Sequence, residues 1–186
     1  YKLVGESSGD RAGSWKAMSG DVDADGDDDL LVGAWLSNTG GTESGMAYLL
    51  FGSSLGTSST IDLSQADYEF IGEGTKDYVG YTVAMVGDVD GDGFGDMLLG
   101  ACGQNAGGSD AGAAYLIRGS SLGGTSSIDL SQADAKLIGE SAGDYAGLVS
   151  PAGDVNGDGY DDLWISALYD DNGGTDAGSA YLVTGG

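Results

Sequence analysis

Oxygen-bearing side chains recur at one fixed spacing three times in this sequence. The first run is Asp21-Val22-Asp23-Ala24-Asp25-Gly26-Asp27-Asp28-Asp29. The second is Asp88-Val89-Asp90-Gly91-Asp92-Gly93-Phe94-Gly95-Asp96, and the third Asp154-Val155-Asn156-Gly157-Asp158-Gly159-Tyr160-Asp161-Asp162. Asp or Asn stands at positions 1, 3, 5 and 9 of each run, and Gly at position 6, where the chain must turn sharply. Position 7 would offer its backbone carbonyl, from Asp27, Phe94 or Tyr160. Calcium takes about 6–8 oxygens, and this spacing wraps such ligands around one point. A transition metal would want imidazole or thiolate, but the chain has no His and one cysteine, Cys102. Magnesium would demand a tighter octahedron. Three calcium ions are therefore expected, one in each run. The bland alternative is three solvated acidic turns.

A helix–loop–helix calcium loop closes on a bidentate Glu at position 12. Position 12 is here Val32, Leu99 or Ile165, inside the apolar runs Leu30-Leu31-Val32, Met97-Leu98-Leu99 and Leu163-Trp164-Ile165. Each loop must therefore feed a buried strand rather than a helix. The loops hold 14 of the 30 acidic residues, six in the first and four in each of the others. Carboxylates packed this closely raise one another's pKa unless a cation sits among them. Three divalent ions would bring the formal charge from −24 to −18. The sixteen acids elsewhere read as a solvated acidic surface, or as a patch for a basic partner.

The elements that position these loops are themselves repeated. Tyr1-Lys2-Leu3-Val4-Gly5-Glu6 returns as Tyr68-Glu69-Phe70-Ile71-Gly72-Glu73 and as Ala135-Lys136-Leu137-Ile138-Gly139-Glu140. Gly-rich turns at 41–45, 108–112 and 174–178 each precede an apolar run: Ala47-Tyr48-Leu49-Leu50, Ala114-Tyr115-Leu116-Ile117 and Ala180-Tyr181-Leu182-Val183. A single repeat domain over 1–186 thus divides into 1–67, 68–134 and 135–186. The first two repeats end in near-identical spacers, 52–67 and 119–134, which the third lacks. Short runs of Val, Ile, Leu and Tyr punctuated by Gly, Asp and Asn read as strands. In the second repeat these are 81–86, 96–101 and 113–118, with 135–138 following the spacer. No helical period is sustained over three turns. Four strands in about 50–67 residues match a propeller blade with a long connection. The expected fold class is all-β: three four-stranded antiparallel β-propeller blades with calcium-binding hairpin loops. A solenoid is the alternative, although its coils are usually shorter.

Composition closes off other functions. With 6 basic residues against 30 acidic ones, neither nucleic acid nor anionic lipid is an expected partner. No stretch approaches the ~18 apolar residues of a membrane span, so no membrane insertion is expected. The absence of a leader sequence reads as a mature or trimmed product, which allows secretion. Without His there is no Ser-His-Asp triad. Paired carboxylates could hydrolyse glycosides, but calcium is the better use for them. Gly-rich segments such as Gly107-Gly108 and Gly173-Gly174 lack the Lys of a phosphate loop and precede strands. Trp15, Trp35 and Trp164 are candidates for stacking on a sugar, with core packing the commoner role. Asp10, Asp77 and Asp144 recur ahead of each first strand as turn-capping residues.

Gly80-Tyr81, then Gly87 to Gly93, then Leu99-Gly100-Ala101 together resemble the FG-GAP repeat, the blade of integrin α-subunit propellers and of many secreted bacterial proteins. Gly13-Ser14 with Val32-Gly33-Ala34-Trp35, and Gly147-Leu148 with Ile165-Ser166-Ala167, are the corresponding segments of the other repeats. The resemblance covers essentially the whole chain. It implies a non-catalytic, extracellular or cell-surface module for adhesion or for a protein or glycan ligand. It also implies structural calcium in the hairpin between each blade's first two strands, and blades closed by a strand from the following repeat. Tyr68–Gly72 would then close the first blade and Ala135–Gly139 the second. Tyr1–Gly5 is left as a spare strand of the right type, and the third blade is left open. Three blades are fewer than the ~4–8 of known propellers. Self-association through Tyr1–Gly5 and the third blade, as a closed oligomer or a surface fibre or layer, is one expectation. A piece of a longer propeller and a non-catalytic appendage of a secreted enzyme are the others.

Overall fold

The computed structural model describes residues 1–14 and 17–186, Ala17 by its backbone alone. Trp15, one of the three tryptophans considered for sugar stacking, lies outside the described residues. The strands are β1 (Lys2–Val4), β2 (Ala17–Gly20), β3 (Asp29–Ala34), β4 (Met46–Leu50), β5 (Thr60–Asp62), β6 (Tyr68–Ile71), β7 (Val79–Gly87), β8 (Asp96–Ala101), β9 (Ala113–Ile117), β10 (Ser127–Asp129), β11 (Ala135–Ile138), β12 (Ala146–Gly153), β13 (Asp162–Ala167) and β14 (Ser179–Val183). No helix among the described residues is long and apolar enough to cross a membrane.

Three sheets repeat one plan. The first has the order β10-β6-β4-β3-β2, the second β11-β9-β8-β7 and the third β12-β13-β14. In each, a loop-bearing hairpin joins the first two strands and the third strand runs back antiparallel to the second. β6 pairs antiparallel with β4, and β11 with β9, so a strand from the next repeat closes each of the first two sheets. Four strands describe the second sheet. The first gains a fifth, β10, lying parallel to β6, and the third has three described strands. A separate two-stranded sheet pairs β1 with β5 in parallel.

The parallel strands come from the spacers, where the sequence reading placed none. Each spacer ends in a short 3-10 turn, Leu63–Gln65 or Leu130–Gln132, begun by Asp62 or Asp129 accepting from Ser64 or Ser131 N–H. The last Asp of the spacer folds it back: Asp67 accepts from Phe51 N–H at 2.8 Å, and Asp134 from Arg118 N–H at 2.8 Å. Leu63 and Leu130 are thereby fully buried. Pro151 lies in β12, whose only described strand partner is β13, and an edge tolerates a residue that cannot donate to the ladder.

Alternation along the strands builds the core between sheets. Leu31, Leu49 and Phe70 of the first sheet meet Val83, Leu99 and Tyr115 of the second. Ala84, Leu98 and Leu116, on the second sheet's other face, meet Val149, Leu163 and Ile165 of the third. The sheets approach so closely that a Cβ on Gly33 would overlap the Gly80 carbonyl, and one on Gly100 the Gly147 carbonyl. The free face of the third sheet is different. Trp164 occupies the position of Leu31 and Leu98, which are both fully buried, yet it is 40% exposed. No described sheet covers that face.

Candidate metal centres

Each nine-residue run forms the hairpin loop between the first two strands of a sheet, and local hydrogen bonds shape all three alike. In every loop the position-1 carboxylate receives two N–H groups from across the loop, and in the second and third it also accepts from Gly91 or Gly157 N–H. Asp21 accepts from Asp25 and Gly26, Asp88 from Asp92 and Gly93, and Asp154 from Asp158 and Gly159, at 2.9–3.1 Å. Position 3 accepts from position 5, in Asp23, Asp90 and Asn156. Position 5 accepts from position 7: Asp25 from Asp27, Asp92 from Phe94, and Asp158 from Tyr160. These are self-closing Asx turns, and they wind the chain around its own carboxylates. Gly26, Gly93 and Gly159 take left-handed φ values of 92–95°, a region glycine enters without steric cost.

Position 9 anchors the loop to the sheet. Asp29, Asp96 and Asp162 have no exposed surface. One oxygen of each accepts from position 2, in Val22, Val89 or Val155, at 2.7–2.9 Å. The other accepts from the start of the segment after the third strand, Gly52, Gly119 or Gly185, at 2.8–3.0 Å. Burial pushes the Asp96 carboxyl up to about 6; the two N–H donors oppose this, while the charges of Asp90 and Asp92 add to it. Asp29 is raised for the same first reason. Burial that disfavours a carboxylate, with acids crowded beside it, is the environment a cation relieves.

Carboxylate oxygens of Asp21, Asp23 and Asp29 lie within 4.8 Å of one another, as do those of Asp88, Asp90 and Asp96. The third loop has the same hydrogen bonds, but Asn156 replaces a carboxylate, and its amide donates to Asp158 at 2.7 Å. All side-chain donors are oxygens, a set that suits a hard cation such as calcium.

Two contacts escaped the sequence reading. Asp161, at position 8 of the third loop, accepts from Asp88 N–H at 3.0 Å and donates its own N–H to the Asp88 carbonyl, so the second and third loops are joined. Position 8 differs among the loops (Asp28, Gly95, Asp161), so only the fold shows what it touches. Arg118 Nε lies 3.2 Å from Asp90 Oδ2. Phe51 and Thr184 stand in its place in the other repeats, and that difference was the available signal.

The capping aspartates sit near the opposite ends of the strands. Asp77 accepts from Gly74 N–H at 2.9 Å, and Asp144 from Ser141 N–H at 3.1 Å. Beside these turns lies an open hollow of about 420 Å³, lined by Trp35, Tyr78, Tyr81, Tyr145 and Tyr169. Trp35 meets Tyr78 and Tyr81 edge-on at 5.6 and 5.4 Å, and Tyr145 meets Tyr169 at 5.5 Å. Cys102 borders this hollow, and burial pushes its thiol up to about 11.

The FG-GAP repeat profile matches residues 14–50. Integrin alpha-4 of Xenopus laevis is 30% identical over 174 residues, which cover 91% of this chain and 16% of that protein. Integrin alpha pat-2 of Caenorhabditis briggsae is 36% identical over 103 residues, 53% of this chain and 8% of that protein. The chain thus spans less than a fifth of the length of either relative.

Proposed function

The chain carries the FG-GAP repeat, and from that premise we propose that it is a calcium-stabilised set of three β-propeller blades. It acts at or outside the cell surface as a non-catalytic module for adhesion or ligand recognition. The observation that carries this reading is the loop repeated three times at one place in three sheets, with one hydrogen-bond pattern and oxygen donors throughout. Asp21, Asp23, Asp25, Asp29 and the Asp27 carbonyl hold the first ion. Asp88, Asp90, Asp92, Asp96 and the Phe94 carbonyl hold the second. Asp154, Asn156, Asp158, Asp162 and the Tyr160 carbonyl hold the third. The bound ion supplies positive charge among crowded carboxylates and nothing catalytic. The aromatic hollow offers a concave surface for a protein or glycan ligand, and the two relatives, integrin alpha chains by name, support recognition as the role.

Calcium modules of the extracellular kind bind with Kd of about 10⁻⁴–10⁻³ M. At ten times Kd a site adds about 1.4 kcal/mol to stability, and three sites about 4 kcal/mol. That is a large part of the roughly 5–15 kcal/mol of an ordinary domain. The test is thermal unfolding of the 186-residue chain in millimolar calcium, in magnesium and in chelator. A midpoint that rises with calcium and falls on chelation is expected. The same midpoint in all three solutions would remove the structural-calcium reading.

A further inference from the structure

The three loops share a plan but differ at position 3. One oxygen of that side chain accepts from the position-5 N–H in every loop: Asp23 from Asp25, Asp90 from Asp92, and Asn156 from Asp158. The other terminal atom has a different setting each time. Asp23 has no cation beside it among the described residues. Asp90 Oδ2 lies 3.2 Å from Arg118 Nε. In Asn156 the second atom is an amide nitrogen, which donates to Asp158 Oδ2 at 2.7 Å.

Arg118 follows directly after β9, where the first repeat has Phe51 and the third Thr184. Phe51 makes an apolar contact instead, edge-on to Tyr68 at 5.8 Å. With 6 basic residues against 30 acidic ones, cations are scarce in this chain. One of the two ion pairs among the described residues nevertheless falls on a carboxylate of the second loop. Arg118 Nε has no hydrogen-bond partner among the described residues, so the contact acts through charge rather than through an aligned bond.

We propose that Arg118 is a built-in competitor for calcium at the second loop, which lowers the affinity of that site below that of the first and makes the two fill in order. The inference rests on the structural-calcium reading above. Affinity in oxygen-donor loops is tuned by the number of ligand charges. The side-chain donors of the first loop are four carboxylates, Asp21, Asp23, Asp25 and Asp29. The second also has four, Asp88, Asp90, Asp92 and Asp96, but Arg118 already compensates one of them. An arriving divalent ion meets a like charge on the far side of Asp90 and is repelled by it. Without calcium the sign reverses. Carboxylate oxygens of Asp88, Asp90 and Asp96 lie within 4.8 Å of one another, and a guanidinium beside them relieves their repulsion. Arg118 thus steadies the empty loop and opposes the filled one.

The test is a calcium titration of the nitrogen-15-labelled 186-residue chain followed by nuclear magnetic resonance. Gly26, Gly93 and Gly159 each donate an N–H to the position-1 carboxylate of their own loop, so their amide signals report the three loops separately. In the parent, Gly26 should shift at lower calcium than Gly93. Arg118→Gln should lower the Gly93 midpoint about tenfold, leave that of Gly26 in place and reduce thermal stability in chelator. Arg118→Lys keeps the charge and should behave as the parent does. Every variant retains the backbone N–H that Asp134 accepts from residue 118, so the fold-back of the spacer is preserved. A Gly93 midpoint that is the same in the parent and Arg118→Gln overturns the inference. Equal tightening in Arg118→Gln and Arg118→Lys also overturns it, since packing of the side chain and not its charge would then be responsible. If no glycine of the three responds to calcium, the calcium reading falls and the inference falls with it.

Discussion

Asp92 and Asp96 lie four residues apart in one loop, and their truncation should fail in different ways. Asp92 is at the exposed tip, accepting from its own loop. Asp92→Ala should abolish the calcium-dependent part of the second site's stabilisation and change little in chelator. Asp96 is fully buried and accepts from Val89 and Gly119 N–H groups that have no water to turn to. Each buried group left unpaired costs about 1–3 kcal/mol, so Asp96→Ala should destabilise with or without calcium. Urea unfolding of both variants in calcium and in chelator checks this, and equal losses for Asp92→Ala in the two solutions would contradict it. Asp77 supplies the pH dependence. Burial raises its carboxyl above the usual 3.8, against the Gly74 N–H and the charge of Lys136. The fold thus holds this proton more tightly than the unfolded chain does. Its contribution to stability is fully present below 3.8 and is lost as pH rises through the folded value. Asp77→Asn cannot ionise there, so the wild-type chain should lose stability relative to the variant across that rise, as read from urea midpoints at each pH. The spacing of donors in each loop was legible in sequence because Asx turns are local. The double anchoring of position 9 was not, since Gly52, Gly119 and Gly185 lie 23 residues further along.

The glycines at the sheet contacts set the next scale. Gly33 and Gly100 lie in strand interiors, where glycine ordinarily costs stability. They are explained by the backbone of the neighbouring sheet, which would overlap an added methyl. Gly33→Ala or Gly100→Ala should cost about 1–3 kcal/mol or more through forced separation of the sheets. Gly56→Ala, at a position with nothing within 4 Å of an added Cβ, should be nearly neutral. Thermal unfolding separates the two, and equal midpoints for Gly100→Ala and Gly56→Ala would show that the sheets part more easily than this packing implies. The strands of the second repeat read from sequence as 96–101 and 135–138 coincide with β8 and β11. β7 extends the expected 81–86 at both ends, through the left-handed Gly80 and a register shift. β5 and β10 were invisible. Each is three residues long in a Ser- and Thr-rich spacer, and each exists only because the first strand of its own repeat, 58 residues earlier, lies parallel to it. Pairing of that kind is a tertiary fact, and no local period announces it.

At the scale of the whole molecule the question is how far the three sheets act as one. The second sheet gives one face to the core it shares with the first and the other to the core it shares with the third. The second and third loops are joined besides, Asp161 accepting from Asp88 N–H at 3.0 Å and donating its own N–H to the Asp88 carbonyl. An ion that steadies Asp88 therefore steadies a segment tied to the third loop, and filling one loop should favour filling the other. Asp161→Ala removes the side-chain bond and keeps the backbone one, so it should weaken this coupling while leaving both donor sets intact. Calorimetric calcium titration of the parent chain and of Asp161→Ala checks this. Identical binding curves for the two would show that the loops fill independently.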